Sequence, residues 1–299
     1  MEKITMQYRE LGKTGLKVSV VGIETHQWSG MGGRFFTVAE IRAILRRAEK
    51  AGMNFIDTGE CYFFHAAERM VGDALGKNRR KWIIATKFGH ISRPKEIVSA
   101  WTGEDIRKQL DDSLAALRTD YIDLYQLHVN APEDIAHIRA NTLNIRDALA
   151  EAKKAGKIRA VGVCLGDDAL FGEDGVFLQE AVEMLSASAV QVVYNRLDRK
   201  AEERIFPFAK KHNLGIIARV PLAKGYLSTR FKPLNKTYDE VHMKKVEEIK
   251  QNEMPVGADL SEWAIGWCVK NPSISCVVPG HSAPMQIDAT VRAAHQIFI

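Results

Sequence analysis

Eight short runs rich in Val and Ile, separated by longer stretches of helical period, set the terms for how this chain folds. The runs are VSVVGIE (18–24), NFID (54–57), WIIATK (82–87), YIDLYQLH (121–128), AVGVC (160–164), AVQVVYN (189–195), GIIARVP (215–221) and ISCVVPG (274–280). They are apolar without alternation, the pattern of strands buried on both faces. Between them lie amphipathic stretches. TVAEIRAILRRAEKAG offers Thr37 as an N-cap, Glu40 as its capping-box partner and Gly52 as the stop. TGEDIRKQLDDSLAAL, NTLNIRDALAEAKKAG, KAEERIFPFAKKHN and DLSEWAIGWCVKN carry the same period. Strand and helix in alternation predict a parallel sheet, and eight strands close it into an α/β fold, the (β/α)8 or TIM barrel.

A chain of 299 residues suits one such barrel, so a single domain over 1–299 is expected. Residues 1–17, with Gly12 and Gly15 among polar neighbours, predict a hairpin ahead of the first barrel strand. GDDALFGEDGVF (166–177) and the segment 222–244 after strand 7 read as long loops, a length associated with function. The apolar share of 46% is ample for a core, and the net charge of +5 is scattered rather than blocked. No nucleic-acid partner is therefore expected. No run reaches the length of a membrane span, and the polar N-terminus has no signal-peptide core. Cys61, Cys164, Cys268 and Cys276 form no CxxC pair, which suits a reducing, cytoplasmic setting. No metal-ligand spacing occurs, and HAAE (65–68) reads as a surface stretch of a helix. GMGG (30–33) lacks the spacing of a Rossmann turn, and GDALGK (72–77) is too short for a P-loop.

In a parallel barrel, chemistry gathers where strands end. Those ends are Glu24, Asp57, Lys87, His128, Cys164, Asn195, Arg219 and Gly280. Lys87 closes an apolar strand and requires a carboxylate, which Asp57 on the neighbouring strand can supply. Tyr62 follows Asp57 by five residues. A phenol titrates near pH 10, and an ammonium beside it is expected to lower that value. His128 is placed to bond the same oxygen or to orient a carbonyl. Taken singly, Asp57 reads as a turn residue, Tyr62 as packing, and Lys87 and His128 as satisfied strand ends. Together they describe a general acid poised over a carbonyl. Lys87 as a Schiff-base former is a separate reading, and the Asp57–Tyr62 pairing argues against it.

YRELGKTGLKVSVVGI, FIDTGECY, ATKFG, IDLYQLH, GKIRAVGV, QVVYN, PLAKGYL and NPSISCVVPG, in that order, resemble the aldo-keto reductase superfamily nearly end to end. The resemblance implies the catalytic tetrad Asp57, Tyr62, Lys87 and His128, and an oxidoreductase moving hydride from NADPH to an aldehyde or ketone. It implies cofactor contacts at Thr25, Asp57, Cys164, Gln191, Arg219, Leu222, Gly225, Gly280, Ser282, Gln286 and Thr290, and a substrate pocket at His26, Trp28, Tyr62 and His128. HSAPMQ, opening the last helix, is where the adenosine phosphate is expected, since a helix N-terminus attracts phosphate. Three positions depart from the family pattern. Cys164-Leu165 stands where Ser-Asn is usual, Arg219 where many members stack a Tyr, and neutral Ser282, Gln286 and Thr290 where a cation often meets the 2′-phosphate. NAD is thus a second expected cofactor. Residues 226–244 are expected to form a lid over it. Potassium-channel β subunits share this fold, so a non-catalytic NADP-binding regulator is the alternative. Oligomeric state is not encoded in these patterns.

Overall fold

A computed structural model describes residues 5–30, 33–93, 96–129, 132–166, 176–229 and 240–295. Much of the two long loops, and so of the expected lid, lies outside the described residues. A hairpin of β1 (Tyr8–Glu10) and antiparallel β2 (Lys17–Ser19) precedes the barrel. The barrel strands are β3 (Ile23–Glu24), β4 (Phe55–Asp57), β5 (Ile83–Phe88), and, after a second hairpin of β6 (His90–Arg93) and β7 (Glu96–Ser99), β8 (Ile122–Val129), β9 (Ile158–Leu165), β10 (Ala189–Val193), β11 (Gly215–Arg219) and β12 (Ile274–Val278). They pair in parallel as β3–β4–β5–β8–β9–β10–β11–β12. Bridges Val21–Val277 and Glu24–Gly280 join the two outer strands, so the sheet curls into a nearly closed (β/α)8 barrel.

Helices α1 (Val38–Lys50), α2 (Ala66–Leu75), α3 (Gly103–Leu117), α4 (Pro132–Lys154), α5 (Val176–Leu185), α6 (Ile205–Lys211), α7 (Glu240–Asn252), α8 (Leu260–Lys270) and α9 (Pro284–His295) surround it. Thr37 and Glu40 form the capping box of α1, and Gly52 turns the chain away from it at φ +85°. The Thr102 hydroxyl accepts from the Asp105 amide to start α3, and Asp259 caps α8 in the same way. No helix among the described residues is long and apolar enough to cross a membrane.

Four local expectations are corrected. The first hairpin reaches Ser19 rather than 17 and takes Val18 and Ser19 from the first run, because these residues pair with the 8–10 strand. Barrel strand 1 is therefore only Ile23–Glu24. The hairpin β6–β7 lay hidden in a polar stretch with no alternation to reveal it. Helix α4 starts at Pro132, well before the segment at 141, because Ile135 and Ile138 extend its apolar face. Within 222–244, residues 223–225 form a 3-10 turn and 240–244 open α7, whose Val246 and Ile249 pack on Leu227 and Leu260.

Inward-facing residues recur at every second position along a barrel strand. At the end where strands begin, Phe55, Ala85, Leu124, Ala160, Ala189, Ile217 and Cys276 fill the interior, and Leu11, Leu16 and Val18 of the first hairpin plug it. Two residues further along five of these strands the filling turns polar, at Asp57, Lys87, Gln126, Gln191 and Arg219, while Gly162 and Val278 keep the other two apolar.

Candidate active site

The polar layer centres on one ammonium. Lys87 Nζ donates to Asp57 Oδ2 at 2.7 Å, to the Thr58 carbonyl at 2.7 Å and to the Tyr62 hydroxyl at 3.0 Å. All three donors of the ammonium are used, which is how a cation survives at 2% exposure. Gln126 Nε2 donates to the other Asp57 oxygen at 3.2 Å and fixes the carboxylate from the floor. Burial disfavours the Lys87 charge, but the Asp57 carboxylate outweighs it and holds the ammonium above its ordinary value.

Tyr62 sits half-buried at the barrel mouth on a loop with unusual geometry. The next three residues, Phe63, Phe64 and His65, all have left-handed φ of 60°, 54° and 59°. Such conformations cost energy in non-glycine residues and persist where the surroundings enforce them. Here the His65 amide donates to the Glu60 carbonyl at 3.0 Å, the Arg69 guanidinium to the Phe64 carbonyl, and the His65 ring pairs with Glu68. Glu68 is fully buried and also accepts from Thr86 at 2.6 Å, so HAAE is not a surface stretch. Its carboxylate faces inward to hold the loop that aims Tyr62.

The Tyr62 phenol lies well above its ordinary value, not below it. Burial is the main cause, and the Asp57 and Glu24 carboxylates add to it, so that Lys87 is outweighed. His128 is buried, with Nδ1 3.7 Å from Cys61 Sγ and its ring edge-on to His90 at 5.2 Å. Burial and the charge of Lys87 push its imidazole well below the ordinary range, so it is neutral. Burial likewise pushes the Cys61 thiol up to about 12.

The other expected contacts fall into three groups. Gln191 Nε2 and Thr25 Oγ1 are buried without a partner, while Gln191 Oε1 accepts from Cys164 Sγ at 2.8 Å. An orphaned amide donor beside the Lys87 layer fits the carboxamide of a nicotinamide, since a buried unpaired N–H is costly. Arg219 bonds the carbonyls of Leu165 and Gly166 and keeps Nε unpaired. Farther out, Leu222, Gly280, Gln286, Thr290 and Arg292 line a cleft of about 420 Å³. The backbone approaching it is strained, with Val220 at φ 57°, Ala223 at 47° and Lys224 at 55° ahead of Gly225 at 103°.

Three details of that cleft were not foreseen. Gln286 Oε1 accepts from the amides of Ser282 and Ala283 at 2.6 and 3.0 Å, so α9 is capped by its own side chain where phosphate was expected. Thr290 turns inward to His281 Nε2 at 2.9 Å. Arg292 is paired with Glu262. At the substrate side, His26 is exposed with its ring edge-on to Tyr62 at 5.0 Å, whereas Trp28 is 2% exposed and donates to the His281 carbonyl at 2.7 Å. Trp28 is held in the core by that bond instead of facing the opening. Gln126, Glu68 and a role for Glu24 escaped the sequence reading. Counting by two from Leu124 finds Gln126; nothing in the local pattern distinguishes Glu68 from a surface carboxylate.

The model of the aldo/keto reductase family matches residues 23–298, and the chain belongs to that family. It is an NAD(P)H-dependent carbonyl reductase by class. It is 28% identical to the uncharacterized oxidoreductase YqkF of Bacillus subtilis, over 97% of this chain and 92% of that one. It is 29% identical to the L-galactose dehydrogenase of Arabidopsis thaliana, over 98% and 89%. The holo form of aldo-keto reductase AKR11C1 from Bacillus halodurans superposes with a TM-score of 0.81 at 27% identity, covering 97% of this chain and 91% of that one.

Proposed function

We propose that the chain reduces a small aldehyde or ketone with Tyr62 as the proton donor. The observation that carries this reading is the unbroken contact chain Asp57–Lys87–Tyr62 at the barrel mouth. A bound nicotinamide cofactor supplies the hydride. The Tyr62 hydroxyl gives its proton to the carbonyl oxygen, and Lys87, held charged by Asp57, stabilises the phenolate left behind. His128, neutral and close by, orients the carbonyl by hydrogen bonding. His26 completes the wall of the substrate pocket.

Gln191, Thr25, Cys164 and Asp57 would hold the nicotinamide in this reading. Arg219, Leu222 and Gly225 line the path of the pyrophosphate, and Gly280, Ser282, Gln286 and Thr290 meet the adenosine end. NADPH is the cofactor implied by the family resemblance. Ser282, Gln286 and Thr290 carry no positive charge, residues 280–290 hold no Lys or Arg, and Arg292 is paired with Glu262, all of which support acceptance of NADH as well. Four free, buried cysteines support a reducing compartment such as the cytoplasm.

Tyr62→Phe tests the mechanism. Affinity for NADPH, read by tryptophan fluorescence, is expected to persist while carbonyl reduction falls by about two orders of magnitude or more. Undiminished turnover in this variant sinks the role of Tyr62. Cofactor binding with no turnover in the parent protein, across simple aldehydes and ketones, supports the regulatory alternative instead.

A further inference from the structure

One acidic group at the mouth has no part in the chemistry above. Glu24 ends β3, beside Asp57 in the parallel register and opposite Gly280 across the seam that closes the barrel. Its Oε1 accepts from the His26 amide at 2.7 Å, and its carboxylate is near enough to the Tyr62 hydroxyl that each shifts the proton affinity of the other. The His26 ring, edge-on to Tyr62, closes the same small cluster. The Tyr62 hydroxyl thus has two ionisable groups about it: Lys87, which bonds it and is committed to Asp57 and Thr58, and Glu24, half-buried beside Asp57.

We propose that Glu24 is the proton-exchange partner of Tyr62, restoring the proton that the phenol gives to the carbonyl oxygen. The proposal rests on the reading of Tyr62 as the acid. In the reducing direction the Tyr62 O–H bond breaks and the O–H bond of the alcohol forms, leaving a phenolate. The Glu24 carboxylic acid passes its proton to that phenolate, and the resulting carboxylate takes a proton from water at the opening. Each carbonyl consumes one proton from water and the hydride of the cofactor, and no further reactant is needed. In the oxidising direction the same two bonds are made and broken in reverse.

A relay group works at neutrality only if it holds its proton for part of the time. An exposed glutamate does not, with an ordinary value near 4. Burial raises Glu24 to about 7, and the Asp57 carboxylate adds to the rise. The His26 amide, the Lys87 ammonium and the Tyr62 hydroxyl oppose it. The groups facing Glu24 are thus Asp57 from β4, Lys87 from β5, Tyr62 from the loop after β4 and His26 on the turn after β3; the Gly280 backbone after β12, with the neutral Gln27 side chain against it, completes the surroundings. Protonation of Glu24 also removes one of the negative charges that hold the Tyr62 phenol high, so the loaded relay favours the step it serves.

The test uses the full chain and two readouts. Carboxyl carbon-13 NMR of the glutamates, without cofactor, is expected to show one group titrating near pH 7. That signal disappears in Glu24→Gln and moves upward in Tyr62→Phe, which removes a hydroxyl that favours the carboxylate. A Glu24 that titrates near its ordinary value, or ignores Tyr62→Phe, overturns the proposal. In the pH profile of kcat for reduction, the parent enzyme is expected to decline above about pH 7 as Glu24 loses its proton. Glu24→Gln loses that limb and falls about tenfold or more, with NADPH affinity and carbonyl KM changed less than about twofold, and Glu24→Asp regains part of the rate. A limb and rate unchanged in both variants overturn the relay and leave Tyr62 standing as the acid. Undiminished reduction by Tyr62→Phe overturns both.

Discussion

The two ends of the barrel are built from the same strands and follow opposite rules. Where the strands begin, the inward positions are Phe55, Ala85, Leu124 and Ile217, and a hairpin brings Leu11, Leu16 and Val18 in to seal them. Two residues later the same strands present Asp57, Lys87, Gln126 and Arg219. The apolar end gains stability from burial of every side chain. The polar end gains much less, because each buried charge must be matched before it costs nothing. A short strand such as Phe55–Asp57 therefore carries core and chemistry within three residues. The lesson is that the pleat places stability and reactivity on one ladder, two residues apart.

That contrast is open to test. The largest effect is expected from Lys87→Met, which leaves the 1%-exposed Asp57 without its cation. Unpairing a buried carboxylate costs about 3–5 kcal/mol, and the acid limb of any remaining activity moves to higher pH because the phenolate loses its cation. Chemical denaturation and a pH–rate profile check both, and a variant as stable as the parent breaks the claim that the polar end is matched by Lys87. Leu11→Ala at the opposite end is expected to lose about 2–5 kcal/mol through an unfilled cavity. Its kcat should match that of the parent below the unfolding transition. A large drop in kcat there denies that the two ends are separable. The smallest effect belongs to Thr37→Ala, outside both layers, where loss of the α1 cap costs about 1 kcal/mol and leaves activity unchanged. A loss much beyond that shows the cap to be coupled to the barrel.

Period and termini made much of this legible in advance. The eight runs are visible as unalternating Val and Ile, and the caps at Thr37 and the stop at Gly52 are local signals that the structure keeps. Asp57 and Lys87 stood out because a charge ending an apolar strand demands a partner. Glu68 did not, because its burial comes from packing of α2 against Thr86 on a strand 18 residues later. Gln286 is expected as a cofactor contact, and no sequence pattern shows that its side-chain oxygen Oε1 accepts from the amides of Ser282 and Ala283. The expected direction of the Tyr62 shift is reversed for a similar reason. The ammonium was foreseen, but the burial and the second carboxylate that outweigh it were not.

By itself the sequence determined the strand–helix alternation, the closed parallel barrel and the strand ends at which charged residues fall, because these follow from local period and chain order. The tertiary structure alone decided which of those groups touch. It set Lys87 against Asp57 and Tyr62 rather than water, placed Glu24 in register with Asp57, turned Trp28 and Thr290 inward, and left Gln191 Nε2 without a partner. Proton affinities and free hydrogen-bonding capacity depend on distance and solvent exclusion among residues far apart in the chain, and only closure of the barrel fixes either.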